Sequence, residues 1–207
     1  ALIDLYEATF EPSWLETALS LNETMIEQFW DETDGAFYFT SSDHEELIVR
    51  SKNPYDNAVP SGNSIAVHNL LRLAAFTGRA DLRDKAERTL IVFHDMMKAS
   101  PGGFGQLLCD LAWHRDGAKE IAVIGSPDDE ATRSFLATIR RRYLPHKVVA
   151  LHDPSSGAQA PAALIPLLAD RPQVDDRATV YVCRDFVCRR PVTTVEELEE
   201  IIDGLLD

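Results

Sequence analysis

The spacing of apolar residues changes near Gly117, and that change constrains the fold more than any composition does. Upstream of it, apolar side chains recur every three or four residues, the spacing that makes one stripe along an α-helix. Trp14, Ala18, Leu21, Met25 and Phe29 form the first such stripe. Glu32-Thr33-Asp34-Gly35 then signals a turn. Ala36 to Thr40 is too short and too aromatic for a helix and reads as a strand or extended arm, with Leu47 to Arg50 as a second extended piece able to pair with it. Helical spacing returns over 61–77, where Val67, Leu70, Leu71 and Ala74 face a core, and again from Asp81 with Leu82, Ala86, Leu90, Phe93 and Met97. Ser100-Pro101-Gly102-Gly103 breaks the pattern, and Phe104 to Trp113 supplies a fourth helix. Residues 1–116 are therefore expected to be helices arranged as antiparallel pairs.

Downstream, strands and helices alternate. Ile121 to Ile124 is an apolar strand run, an acidic helix starts at Asp128-Asp129-Glu130 and runs to about Tyr143, and Lys147 to Leu151 makes a second strand. Ala158 to Ala169 reads as a helix despite Pro161 and Pro166, Ala178 to Cys183 as a third strand, and Thr193 with Glu196 as the capping box of a last helix. The order β-α-β-α-β favours a small three-stranded parallel α/β unit over 117–207.

The chain has 207 residues, 45% of them apolar and 26% charged, enough to bury a core without disulfide staples. No run of about 18 apolar residues is present and Ala1-Leu2-Ile3-Asp4 has neither a basic region nor a long apolar stretch, so neither a signal peptide nor a membrane span is expected. Thirty-four acidic against twenty basic side chains give a formal net charge of −14, which repels phosphate backbones and anionic lipid surfaces. Nucleic acid and membrane are thus not expected as partners. Three cysteines fit free thiols in a reducing, cytoplasmic setting. Cys183 and Cys188 lack the Cys-x-x-Cys spacing of a redox site and any nearby histidine for zinc, so they read as structural thiols. His94, His114, His146 and His152 show no metal-ligand spacing, and neither metal nor other cofactor is expected. Gly125-Ser126-Pro127 lies where a helix N-terminus could hold phosphate, but three carboxylates crowd it and the glycine-rich fingerprint is missing.

The most unusual stretch is Lys52-Asn53-Pro54-Tyr55-Asp56-Asn57-Ala58-Val59-Pro60-Ser61-Gly62-Asn63-Ser64, polar throughout and leading into the most apolar helix of the chain. Ser61 can cap that helix, and Ser61, Ser64, His68 and Arg72 step by three, four and four to make a polar stripe along it. One reading is a polar pocket, with Asp56 and Tyr55 as acid–base candidates and Asn57, Asn63 and Ser64 as hydrogen-bonding groups. The other is a loop locked by Asx turns and a capped helix entry, which uses the same residue types. His68 by itself suits a hydrogen-bonded core position as well as a ligand.

Four blocks together carry a family resemblance: Phe29 to Phe39, Tyr55 to Ser64, Arg141-Arg142-Tyr143-Leu144-Pro145, and Ala178 to Cys188 followed by Pro191-Val192-Thr193. In this order they resemble the C-terminal region of the spermatogenesis-associated, thioredoxin-domain-containing proteins with their bacterial YyaL-like members. The resemblance implies a longer protein, with a thioredoxin-like domain ahead of an (α/α)₆ toroid similar to six-hairpin glycosidases and N-acylglucosamine 2-epimerases. Residues 1–116 would hold about two of the six hairpins, and the remainder of the toroid and the thioredoxin-like domain become the expected partners. A sugar-like ligand would stack on Trp30 or Tyr38 beside Asp56, Asn57 and Ser61, with Asp31 or Asp34 as a possible second carboxylate. The alternative is a non-catalytic module that docks a thioredoxin-like domain or another protein.

Overall fold

The computed structural model describes residues 1–45, 48–157, 161–184 and 187–205, which form two compact units. The first comprises Ala1–Ile3, Ser13–Ala74 and Arg79–Asp116. A helix the spacing did not suggest, α1 (Leu2–Thr9), opens the chain; eight residues are too few to hold a helix by propensity, and it persists by burying Ile3 and Tyr6. After it come α2 (Pro12–Phe29), α3 (Gly62–Thr77), α4 (Ala80–Ala99) and α5 (Gly105–Asp116). On α2 the buried positions are Leu15, Ala18 and Asn22, and Leu21 is 59% exposed, so the stripe is rotated from the one expected. On α4 the expected stripe is the buried one, Leu82, Ala86, Leu90, Phe93 and Met97.

The aromatic arm at 36–40 builds no ladder. It makes one antiparallel bridge, Trp30 to Phe37, and one bond from the Phe39 amide to the Ser51 carbonyl at 2.8 Å. Leu47, expected at the start of the pairing piece, lies outside the described residues. The arm is held instead by side chains, described below.

The second unit comprises Asp4–Pro12, Ala75–Gly78 and Gly117–Asp207. Its sheet contains β1 (Lys119–Ile124), β2 (Lys147–His152), β3 (Thr179–Arg184) and β4 (Val187–Cys188) in the order β2-β1-β3-β4. β1 and β2 are parallel and joined by helix α6 (Glu130–Arg141), but β3 runs antiparallel to β1. The expectation of three parallel strands is therefore corrected to a four-stranded mixed sheet. The reason lies in the connection: a parallel partner needs a crossover that returns the chain to the other end of the sheet. The expected helix at 158–169 does not supply one. Its first three residues lie outside the described ones, and 161–169 contains turns and a single 3₁₀ turn, Pro166–Leu168, because Pro161 and Pro166 remove amide donors. β3 starts at the end of the sheet where β2 finished, with Thr179 opposite Ile124 and His152 beside it.

One face of the sheet carries Ile121, Val123, Val149, Leu151, Val180 and Val182 into a core with Phe135 and Ile139 of α6 and Leu198 and Ile202 of α7 (Val195–Asp203). The last helix is capped one residue later than expected: the Thr194 hydroxyl accepts from the Glu197 amide at 3.3 Å, and the Glu197 carboxylate accepts from the Thr193 amide at 3.2 Å. The free edge of β2 is covered by α1, where the Glu7 carboxylate accepts from the Val149 amide at 2.9 Å. The cysteines read as free thiols are also corrected: Cys183 and Cys188 form a disulfide between β3 and β4, and Cys109 is free and exposed.

Gly125 ends β1 where a side chain has no room. A Cβ there would lie 2.4 Å from Thr132 Oγ1 and 3.1 Å from the Ala178 Cβ. The turn expected to be a poor phosphate site thus has a packing reason for its glycine. Gly125→Ala is expected to lower unfolding free energy by about 1–3 kcal/mol in chemical denaturation.

Candidate functional site

Two side-chain constellations organise the first unit. The first is built on Asp31, immediately after α2. Its Oδ1 accepts from the backbone amides of Thr33 at 2.8 Å and Asp34 at 3.2 Å, an Asx-type turn. Its Oδ2 accepts from the Tyr38 hydroxyl at 2.5 Å and from Lys52 Nζ at 2.7 Å, while Lys52 also donates to the Gly35 carbonyl at 2.7 Å. Gly35 reaches φ +86°, a conformation that lets the chain fold back so that the Ala36 carbonyl meets the Asp31 amide at 3.0 Å. The ammonium of Lys52 first, and the Tyr38 hydroxyl second, hold the Asp31 carboxyl well below the usual carboxylate range. The same hydrogen bond to Asp31 raises the Tyr38 phenol above its ordinary value. The Arg50 guanidinium sits 4.1 Å from the centre of the Tyr38 ring.

Trp30 belongs to this lock. It is 7% exposed, with Phe37 edge-on at 5.0 Å and the cations of Lys85 and Arg88 at 4.6 and 5.1 Å from its ring. Asn63 completes it: its amide accepts from the Phe37 N–H at 2.8 Å and donates to the Phe37 carbonyl at 2.9 Å, pairing with that peptide as a strand would. A cavity of about 300 Å³ opens beside these residues, walled by Phe29, Phe37, Tyr38, Phe39 and Asn53.

The second constellation joins α3 to α5. Ser61 is the N-cap of α3: its hydroxyl accepts from the Ser64 amide at 3.0 Å and lies 2.8 Å from the Ser64 hydroxyl. Asp56 divides its carboxylate between two helix starts. Oδ1 accepts from the Ser61 amide at 2.8 Å, and Oδ2 from the amides of Gln106 at 2.8 Å and Leu107 at 3.4 Å in the first turn of α5. Tyr55, 44% exposed, packs its ring 5.0 Å from Phe104. Asn57 is exposed, and its amide N–H donates to the Val59 carbonyl at 3.0 Å.

Two turns into α3, His68 Nδ1 lies 2.8 Å from Oδ1 of Asp110 on α5. Asp110 is buried, with its side chain 1% exposed against 29% for His68, and Gln106 Nε2 donates to both of its oxygens at 3.2 Å. Trp113 meets the imidazole edge-on at 5.6 Å. Nδ1 is thereby turned to a buried carboxylate and Nε2 away from it, an arrangement able to move a proton at Nε2. The stripe of Ser61, Ser64, His68 and Arg72 is thus real, and all of it except His68 is buried. Asp110, Gln106 and Lys52 were not among the expected site residues. Asp110 carried a signal, since it is the one carboxylate within the apolar run from Leu107 to Trp113. Among the described residues, no group of three or more His, Cys, Asp or Glu is placed to hold a metal ion.

No protein-family model matches the chain. Curated proteins do: it is 36% identical over 204 residues to spermatogenesis-associated protein 20 of Mus musculus, and 34% identical to the protein of that name from Homo sapiens, each match covering 97% of the chain. The chain belongs to the family of spermatogenesis-associated protein 20. An uncharacterized protein of Caenorhabditis elegans is 25% identical over 98% of the chain. The chain spans about a quarter of the length of these relatives, 25% of the mouse protein and 26% of the human one. Among the described residues no helix is long and apolar enough to cross a membrane.

Because the folded pKa of Asp31 is depressed, the stability it confers is complete above the ordinary carboxylate value of about 4 and is lost as pH falls below it. Asp31→Asn should therefore flatten the acid side of a stability-against-pH profile, and Lys52→Met at neutral pH should cost about 3 kcal/mol by leaving a buried carboxylate without its cation. Asp56→Ala should cost about 1–2 kcal/mol in denaturant titration, the range of a lost helix cap.

Proposed function

We propose that the chain is the C-terminal portion of a thioredoxin-domain-containing, cytoplasmic protein whose helical hairpins build a toroid. In this reading residues 1–116 line part of a cleft for a carbohydrate-like ligand and residues 117–207 form a separate α/β unit. His68, oriented by Asp110, is the proton-transfer group. The observation that carries the reading is the 2.8 Å contact between a partly exposed imidazole and a buried carboxylate already bonded by Gln106. Asp56 loses the acid–base role in this proposal, because both of its oxygens are occupied by backbone N–H groups. Tyr38 supplies an aromatic wall through the cavity it shares with Phe37 and Phe39, while Trp30, with two cations over its ring, packs edge-on against Phe37 of that wall. The formal charge of −14 favours an uncharged polyhydroxylated ligand over an anionic one. The reaction class is hydrolysis or isomerisation of a sugar, each of which needs a proton moved at an oxygen or carbon.

The alternative, a docking module for a thioredoxin-like domain or another protein, draws on exposed apolar residues in the same unit, Phe39, Ile48, Val49 and Val59. The two separate in one experiment on the full-length protein. Mono- and oligosaccharides are screened by thermal shift, and those that bind are followed for turnover by proton NMR. A saccharide that raises the melting temperature and is converted by wild type, with turnover reduced about 100-fold or more in His68→Gln while the thermal shift persists, is the expected outcome. Neither shift nor turnover in wild type would overturn the catalytic reading and leave the docking one.

A further inference from the structure

We infer that the Cys183–Cys188 disulfide, together with Glu120, is a thiol–disulfide exchange site for a partner dithiol, separate from the His68 site and independent of the reading given to it. The register puts the three residues in one row. Cys183 on β3 is directly opposite Cys188 of β4 on one side and Glu120 of β1 on the other. Residues directly opposite on antiparallel strands point to the same face with Cβ atoms about 5 Å apart. The row therefore runs from a carboxylate through the inner sulfur to the outer one. Its burial is graded in the same order: Glu120 is 0% exposed, Cys183 is 3% exposed, and Cys188 is partly exposed at the end of a two-residue edge strand.

A purely structural role explains this row poorly. The bond links residues only five apart in a hairpin already held by the bond from the Arg189 amide to the Val182 carbonyl, so it removes little entropy from the unfolded chain. A glutamate on the central strand of a sheet is costly to bury where an aliphatic residue would stabilise. Both features acquire a purpose if sulfur chemistry takes place there.

The exchange runs in two steps. A thiolate of the partner dithiol attacks Sγ of Cys188, the more exposed residue of the pair; a new S–S bond forms to the partner, the Cys183–Cys188 bond breaks, and its electron pair leaves on Cys183 Sγ. That buried thiolate takes its proton from the Glu120 carboxyl, which then recovers one from solvent. The second partner thiol, having lost its proton to solvent, attacks the mixed disulfide at the partner's own sulfur, and Cys188 leaves as a thiolate that solvent protonates. The partner dithiol is oxidised by two electrons and the protein's pair is reduced by two.

The test uses the intact protein under native conditions, with dithiothreitol as the dithiol. Samples are quenched by alkylation, and Cys183, Cys188 and Cys109 are read by peptide mass spectrometry, Cys109 serving as the exposed reference thiol. Wild type should show Cys183 and Cys188 unmodified before reductant and fully alkylated after it, and Glu120→Gln should slow the reduction at least about tenfold while Cys109 labels at an unchanged rate. Alkylation of the pair without reductant, resistance of the pair until denaturant is added, or a wild-type rate in Glu120→Gln would each overturn the inference. If Glu120→Gln does not fold, the single-cysteine variants decide. Cys183→Ser should leave Cys188 quick to form a mixed disulfide with an aromatic disulfide reagent, and Cys188→Ser should leave Cys183 at least about tenfold slower; equal rates or the reverse order overturn the assignment.

Discussion

The first unit depends on one carboxylate that satisfies two helix beginnings. The first amides of any α-helix lack intrahelical acceptors, and the N-terminal ends of α3 and α5 both turn theirs toward Asp56. A single anion between two positive helix ends fixes where each helix starts relative to the other. Everything further along is set from that anchor: four residues separate Gln106 from Asp110, seven separate Ser61 from His68, and the imidazole and the carboxylate meet at 2.8 Å. The polar loop of 52–64 is thus the element that positions the dyad, and its residues do so mostly through backbone groups.

The Asp31 lock solves a different problem. The aromatic arm has no ladder to hold it, and an extended segment without paired amides is not stable by itself. Asn63 substitutes for a neighbouring strand at Phe37, and Asp31, Tyr38 and Lys52 tie the turn back on itself. Cations over both aromatic rings, Arg50 on Tyr38 and Lys85 with Arg88 on Trp30, close the surface of the arm. The result is an aromatic-walled cavity built on side-chain bonds.

Helical spacing was legible where a helix buries one clear face, as in α4, and less so where polar residues occupy buried positions, as Asn22 does in α2. The direction of β3 was not legible, because alternation along a strand is the same whichever way it runs; Pro161 and Pro166 were the available warning that no crossover helix follows β2. Asp56, expected as an acid–base group, bonds backbone amides at two helix starts, and a carboxylate before a helix suits capping as readily as catalysis. Asp110 was hidden because its partner lies 42 residues away in sequence. The disulfide was missed because five residues of separation was compared with redox motifs, whereas the register of β3 with β4 puts the two cysteines directly opposite.

The carboxylates of the first unit differ in what satisfies them, and that difference separates framework from chemistry. Asp56 is held by backbone amides, and Asp31 chiefly by the Lys52 ammonium and the Tyr38 phenol. Such carboxylates are joints: changing their charge costs the fold. Asp110 is bonded by the amide of Gln106 and by the imidazole of His68, whose side chain is 29% exposed. In the proton-transfer role proposed for His68, a buried carboxylate at Nδ1 stabilises an imidazolium and orients the neutral ring. Fixed donors around two carboxylates give a frame that holds the third and its imidazole partner in place.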